Sequence, residues 1–343
     1  MKMDVSQQME GPYLLFLGEA LVVEEAKTAS GLCQWRTQLS RAQWKLPSCR
    51  IDLGLPDMTP AQAAAAGIKT LVVGIVNAGG FIPESWVAAL VEALDSGLDV
   101  AAGLHQRLGS VPAIAQAAER NGRRLIDLRH PRMSFATGTG RKRSGRRVLT
   151  VGTDCAVGKK YTALAIERAL LDLGQSADFR ATGQTGIMIA GRGVAVDAVV
   201  ADFIAGAAEW LSPDNDADHW DVIEGQGSLF HPAYAGVSLG LMHGSQPDAI
   251  IICHEPGRAM INSVDNYAIP ALPFVIETNL AAARLTNPHV VAAGISVNTS
   301  RFSAEEAGRV IADIETLTGL PCCDPIRSGA GILAHNLLKS VAQ

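Results

Sequence analysis

The residues best placed to do chemistry are Gly152-Thr153-Asp154-Cys155-Ala156-Val157-Gly158-Lys159-Lys160-Tyr161. They follow an apolar run at 148–151 that reads as a buried strand. They precede a helical spacing of Leu164, Ile166, Ala169, Leu170 and Leu173 that Gly174 ends. A glycine-rich loop between a strand and a helix N-terminus is an anion cradle: backbone N–H groups converge, the helix dipole favours negative charge, and lysine adds a full positive charge. The spacing departs from the nucleotide-cleaving form of such loops. Five residues separate Gly152 from Gly158, and Lys160 stands where a Ser or Thr hydroxyl would hold Mg²⁺. Thr162 lies roughly 200° around the helix from Lys160 and cannot substitute for it. The loop is therefore expected to grip a phosphate-bearing ligand without a metal.

Other candidates follow in chain order. A short strand at 177–181 carries Arg180 and leads into Thr182-Gly183-Gln184-Thr185-Gly186, with Arg192 beyond. An apolar strand at 219–224 ends in Glu224, before Gly225-Gln226-Gly227-Ser228, and a carboxylate there manages a metal or a proton. His231 precedes Pro232, and a strand at 249–253 leads to His254-Glu255-Pro256-Gly257-Arg258. Glu224 is the favoured general base and His231 the second catalytic candidate, with Asp154 and His254 behind them; His231 fits equally well as a structural residue ordered before Pro232. Arg180, Arg192 and Arg258 are candidate forks for substrate carboxylates, with Thr182, Gln184 and Thr185 beside them. Each arginine alone also fits an ordinary ion pair. Backbone N–H groups of Gly225-Gln226-Gly227 are candidate oxyanion donors. Cys155 at a helix start is a possible nucleophile, although a small loop residue is the simpler reading.

These residues need a scaffold of parallel strands with helices on both faces. With 343 residues, 48% hydrophobic, 18% charged and a mean hydropathy of +0.17, the chain has enough apolar material for two α/β domains. Upstream, apolar runs at 14–17, 71–76, 99–104 and 124–128 alternate with helical stretches at 84–94 and 111–120, as a parallel sheet requires. Gly79-Gly80 reads as a tight strand-to-helix turn. A helix is expected at 196–211 and a last strand at 293–297. Residues 1–147 hold 18 Lys/Arg against 13 Asp/Glu and the remainder 11 against 21, and the excess positives lie in Arg141-Lys142-Arg143-Ser144-Gly145-Arg146-Arg147. This run reads as a solvated linker, giving an N-terminal domain over 1–136, a basic linker over 137–147 and a C-terminal domain over 148–343. A net charge of −5 and a pI near 5.9 argue against nucleic acid and anionic membranes as partners. Scattered cysteines indicate neither disulfides nor a zinc site, and no metal is expected. The acidic N-terminus and the lack of a long apolar run point to a cytoplasmic protein.

The segments GTDCAVGKK, EGQGSL, HPAY, FRATGQTGIMIAGRGVAVDAVVADFIAGAAEW and DAIIICHEPGR resemble the D-glutamate N-acetyltransferase family over nearly the whole chain. More distantly, GTDCAVGK and EGQGS resemble dethiobiotin synthetase, whose Mg²⁺-binding threonine is here Lys160. The resemblance implies a Rossmann-like N-terminal domain, a three-layer α/β C-terminal domain of the P-loop NTPase kind, and acetyl transfer from acetyl-CoA to the amine of D-glutamate. A homo-oligomer is expected. Two alternatives stay open: an ATP- and Mg²⁺-dependent ligase or kinase, and a non-catalytic nucleotide-responsive protein.

Overall fold

The computed structural model describes residues 9–341 except 24, 78 and 132. Two units emerge. One holds the described residues up to 131 together with Gln184–Ala195; the other holds Met133–Gly183 and the described residues from Val196 onward. This division departs from the expected boundaries: residues 133–147, expected as the end of the N-terminal domain and a separate linker, group with the second unit, and twelve residues inside the expected C-terminal domain group with the first.

The first unit runs β1 (Tyr13–Gly18), α1 (Lys27–Trp35), β2 (Ser40–Lys45), α2 (Pro60–Ala65), β3 (Thr70–Val73), α3 (Glu84–Asp95), β4 (Asp99–Ala102), α4 (Pro112–Asn121) and β5 (Leu125–Asp127). Its five strands are parallel in the order β2-β1-β3-β4-β5. Central β1, β3 and β4 are buried along their whole length, which is why each reads as an apolar run rather than an alternating one. The expected strand at 71–76 stops at Val73. Gly74 passes so close to α1 that a Cβ would lie 2.5 Å from that of Ala29. Gly79 and Gly80 both have positive φ, as a tight turn requires.

The second unit runs β6 (Arg146–Gly152), α5 (Lys159–Asp172) and β7 (Ala177–Arg180). The chain then forms α6 (Gln184–Ala190), which belongs to the first unit, and returns through α7 (Ile204–Leu211), β8 (Trp220–Ile223), α8 (Ala235–Ser245), β9 (Ala249–His254), α9 (Leu272–Arg284), β10 (Val291–Val297), α10 (Ala304–Thr318), β11 (Cys322–Cys323), α11 (Pro325–Ser328) and α12 (Gly331–Val341). All pairings are parallel, in the order β11-β10-β9-β6-β8-β7. β6 lies between β8 and β9, where the strand order reverses. The segments after these three strands therefore emerge together at the C-terminal edge, where open α/β sheets bind ligands.

Two expectations for this unit need correction. The helix expected at 196–211 is two short 3₁₀ turns followed by α7, because Val200 is extended (φ −57°, ψ 137°) and interrupts the helix. Nor is the basic run a solvated linker. Arg141 pairs with Asp214 and Lys142 with Asp248, both at 2.5 Å. Arg143 is buried and donates to the carbonyls of Gly244 and Ser245. Arg147, only 1% exposed, lies inside β6 and donates to Ser212 Oγ at 2.8 Å and to the Pro213 carbonyl at 2.9 Å. The run is stitched into the second unit: Arg141, Arg143 and Arg147 meet backbone or side-chain oxygen, and Arg146 lies over the Trp220 ring.

Among the described residues, no helix is long and apolar enough to cross a membrane, and all six cysteines are free thiols.

Candidate functional site

The glycine-rich loop joins β6 to α5 as expected. Its backbone is bent at two positions either side of Val157: Ala156 adopts φ 55° and Gly158, the N-cap of α5, φ 103°. Glycine adopts such angles freely. An alanine there costs about 1–2 kcal/mol and persists only where its surroundings hold it. Among the described residues, the N–H groups of Ala156, Val157, Gly158 and Lys159 donate to no protein acceptor. Lys159 is buried, and its ammonium meets the Asp154 carbonyl at 2.7 Å. Burial holds its pKa below the usual lysine value. Four unpartnered N–H groups beside a buried ammonium form a nest that an anion would satisfy.

Lys160 is half-buried, with its Nζ 4.3 Å from the centroid of the Tyr161 ring. Thr162 is fully buried, and its hydroxyl bonds to Ser296 Oγ at 2.7 Å. No hydroxyl stands at the usual metal-ligating place, and that of Thr162 is engaged elsewhere.

Glu224, just past β8, is 3% exposed. Its carboxylate accepts from the backbone N–H groups of Thr182 (2.9 Å) and Gly183 (3.1 Å), and burial pushes its pKa up to about 7 against the opposing pull of these bonds and of Lys160 and Lys159. Such a group exchanges a proton near neutrality. Gly225 brings the turn hard against β6: a Cβ there would sit 1.6 Å from the Thr150 carbonyl oxygen and 3.1 Å from Lys159 Cδ. The turn that follows the carboxylate is thus packed against the lysine of the nest, and the charges of Lys160 and Lys159 both act on Glu224. The Gly225 N–H is taken by Thr150 Oγ1 at 2.9 Å, whereas those of Gln226 and Gly227 meet no protein acceptor among the described residues. Thr182 Oγ1 donates to the Glu224 carbonyl and accepts from Gln226 Nε2 at 3.1 Å, tying the end of β7 to the same turn.

The remaining candidates sort by their partners. Arg180 lies against Asp221, with Nε and Nη2 at 2.8 and 2.7 Å from Oδ1, and against Asp178 at 3.3 Å. Arg258 bonds to Asp154 Oδ2 at 3.0 Å, to the Cys155 carbonyl at 2.8 Å and to Glu255. Both guanidinium groups already face protein carboxylates, which accounts for them without a substrate. Gln184, Thr185 and Arg192 belong to the first unit, where Thr185 Oγ1 lies 2.9 Å from Thr28 Oγ1, Gln184 packs on Gly103, and Arg192 is exposed.

His231 is buried with both ring nitrogens engaged. Nδ1 accepts from Ala233 N–H and Nε2 faces the Asn262 carbonyl, each at 3.2 Å. This pattern places the proton on Nε2 and leaves no free lone pair to act as a base. His254 Nδ1 meets Thr153 Oγ1 at 3.1 Å, and burial together with Arg258 pushes its pKa down to about 4, so it is neutral at physiological pH. Burial also raises the Cys155 thiol, which therefore lacks the thiolate character of a nucleophile.

Donor atoms of Asp154, Cys155 and His231 lie within 4.8 Å of one another. As a cation site the trio is poor. Asp154 already carries Arg258 and accepts from the N–H groups of Asn262 (2.7 Å) and Cys155 (2.6 Å), while the His231 nitrogens are engaged as above. Sequence reasoning missed Asp221 and Asn262. Asp221 left a faint signal as a carboxylate inside an apolar strand. Asn262 acts through its backbone and left none.

Comparison with known proteins accords with this description. Residues 134–334 match a family described as a domain of unknown function, DUF1611_C, a P-loop domain, and residues 45–131 match DUF1611_N, a Rossmann-like domain. A D-glutamate N-acetyltransferase of Pseudoalteromonas sp is 46% identical over 330 residues, and one of Tritonibacter scottomollicae is 49% identical over 329; each alignment covers 96% of this chain and 99% of the relative. A crystal structure of a DUF1611 family protein from Anabaena variabilis superposes with a TM-score of 0.87 at 32% identity, covering 96% of this chain and 100% of that one. With a Rossmann-like unit, a P-loop unit and relatives aligned from end to end, the chain belongs to the DUF1611 family, alongside the D-glutamate N-acetyltransferases.

Proposed function

We propose that the protein transfers an acetyl group from acetyl-CoA to the amine of D-glutamate. The two relatives bearing that activity in their names support the reaction class and the acceptor. One structural observation carries the reading: an anion nest without a metal-ligating hydroxyl adjoins a buried carboxylate poised near neutrality. Acyl transfer to an amine needs an anchored anionic donor and a proton acceptor, and it needs no divalent cation. The loop 152–161, with Lys159 and Lys160, is assigned to the phosphates of the coenzyme.

Glu224 takes a proton from the substrate ammonium, and the freed amine forms a bond to the thioester carbonyl carbon. Negative charge develops on the carbonyl oxygen, for which the N–H groups of Gln226 and Gly227 are the available donors. Collapse breaks the carbon–sulfur bond, the proton held by Glu224 passes to the departing thiolate, and the second proton, still on the attacking nitrogen after the bond forms, is released to solvent as the amide is completed. N-acetyl-D-glutamate and free CoA result.

The test is Glu224→Gln, with turnover followed by release of the CoA thiol and CoA affinity followed by calorimetry. Turnover should fall by at least a hundredfold with CoA affinity retained. Unchanged turnover would remove Glu224 from the mechanism, and lost CoA affinity would make it part of the nest. The ligase or kinase alternative is opposed by Lys160 at the metal-ligating place. Phosphate release from ATP that depends on Mg²⁺ and on an amino acid would restore it.

A further inference from the structure

Three segments converge on the anion nest, and a few bonds tie them together. Arg258 reaches from the segment after β9 to Asp154 Oδ2 (3.0 Å) and to the Cys155 carbonyl (2.8 Å), while its other terminal nitrogen is held by Glu255. From the same segment, Asn262 N–H bonds to Asp154 Oδ2 at 2.7 Å, and its carbonyl faces His231 Nε2 at 3.2 Å. Asp154 is completely buried, and Glu255 is 5% exposed.

The bond to the Cys155 carbonyl has a geometric consequence. Cys155 C=O and Ala156 N–H belong to one trans peptide and point in opposite directions. Holding the carbonyl towards Arg258 turns the Ala156 N–H away from it, and that N–H is the first of the unpartnered donors of the nest. The same peptide leads into the left-handed backbone of Ala156, a conformation that alanine keeps only under external constraint. Asp154 supplies the second constraint, since its carboxylate fixes the adjoining Cys155 N–H at 2.6 Å while itself being held by Arg258 and Asn262.

We propose that Arg258 is a positioning residue for acetyl-CoA binding, which sets the Cys155–Ala156 peptide so that the loop presents its N–H groups to the coenzyme phosphates. His231 serves the same end one step removed, by holding the Asn262 backbone that braces Asp154. This assignment rests on the proposed acetyl transfer, and it replaces two sequence expectations: Arg258 does not fork a substrate carboxylate, and His231 moves no proton.

The test is calorimetric titration of CoA into the full chain and its Arg258→Ala variant, together with steady-state kinetics in acetyl-CoA and D-glutamate. The expected result is at least a tenfold weaker CoA affinity and a matching rise in KM for acetyl-CoA. KM for D-glutamate should change less than twofold, and Arg258→Lys should recover only part of the loss, because an ammonium cannot bridge the same three acceptors. A merely structural role would lower the active fraction, and hence apparent kcat, without moving CoA affinity. Unchanged CoA affinity overturns the proposal, as does a rise confined to KM for D-glutamate. If Arg258→Ala does not fold, Asp154→Asn examines the contact from its other side: weakened CoA binding upholds the assignment and wild-type binding overturns it. Failure of the wild-type chain itself to bind CoA would overturn the acetyl-transfer reading and this assignment with it, an outcome distinct from all the others.

Discussion

Glu224 should make the protein less stable as the pH rises through neutrality, and removing its charge should reverse that. A carboxyl whose pKa moves from 4.5 to about 7 on folding binds its proton more tightly in the folded than in the unfolded state. Between those values the folded state holds more protons, so stability is full below pH 4.5, falls through the window and levels off above 7. At about 1.4 kcal/mol per pH unit, the span amounts to about 3 kcal/mol. Glu224→Gln removes the titration but places a two-hydrogen amide donor where the protonated carboxyl has a single hydroxyl, and burying the extra N–H costs about 1 kcal/mol. The variant should therefore be within about 1 kcal/mol of wild type at pH 4.5 and about 2 kcal/mol more stable at pH 8. For a unit of this size that corresponds to a Tm higher by about 4–8 °C. Thermal unfolding of both proteins at half-unit intervals from pH 4.5 to 8.5 measures the difference directly. A constant gap across the range would show that the carboxylate is not raised, and the case for Glu224 as a base near neutrality would fail with it.

Other outcomes follow from the same geometry. Gly225→Ala should leave little folded protein at 37 °C, since the new Cβ would lie 1.6 Å from the Thr150 carbonyl oxygen; recovery of soluble variant with wild-type Tm would contradict this close approach. Turnover should be the same, within about twofold, after EDTA treatment as with added Mg²⁺, because Lys160 and the engaged Thr162 offer no metal-ligating hydroxyl; a loss that Mg²⁺ restores would refute this. Asp221→Ala should destabilise the second unit by about 3–5 kcal/mol, because it strips the buried partner from Arg180 and from Ser212, which Arg147 contacts; denaturant unfolding reads the change.

What could be read in advance depended on whether the physics was local. β6, β8 and β9 are buried on both faces and so announce themselves as apolar runs, and the nest between Gly152 and Lys159 is a contiguous motif. Glu224 stood out because an acid directly after an apolar strand and before two glycines has few ordinary explanations. β2 escaped notice because an edge strand with the sequence SRAQWK shows no apolar run. The membership of α6 was hidden because it rests on distant partners: Thr185 meets Thr28, and Arg36 meets the Ile189 carbonyl. Arg147 looked like one more solvated charge in a basic run, and only Ser212 and Pro213, far along the chain, reveal it as a buried strut. His231 stayed open. A histidine before a proline fits acid–base work or a structural role alike, and what decides between them is its Nε2 partner, a backbone carbonyl that carries no mark in a sequence.

Three ionisable groups around the nest share one condition, in that desolvation holds each towards its neutral form: Lys159 is lowered, and Glu224 and Cys155 are raised. A bound anion acts on these groups in a predictable direction. Phosphate charge in the nest favours the protonated form of Lys159, and it disfavours the ionised form of Glu224, which adjoins the same loop through Gly225. The carboxyl should therefore titrate at a higher pH with coenzyme bound than in the free enzyme. Because kcat/KM reports the free enzyme and kcat the complex, the acid limb of kcat should lie above that of kcat/KM, which itself should fall about tenfold per pH unit below 7. pH–rate profiles with D-glutamate varied at low and at saturating acetyl-CoA separate the two. An acid limb that stays put, or moves to lower pH, when coenzyme saturates would mean that the anion binds away from Glu224, and the shared location of nest and base would have to be given up.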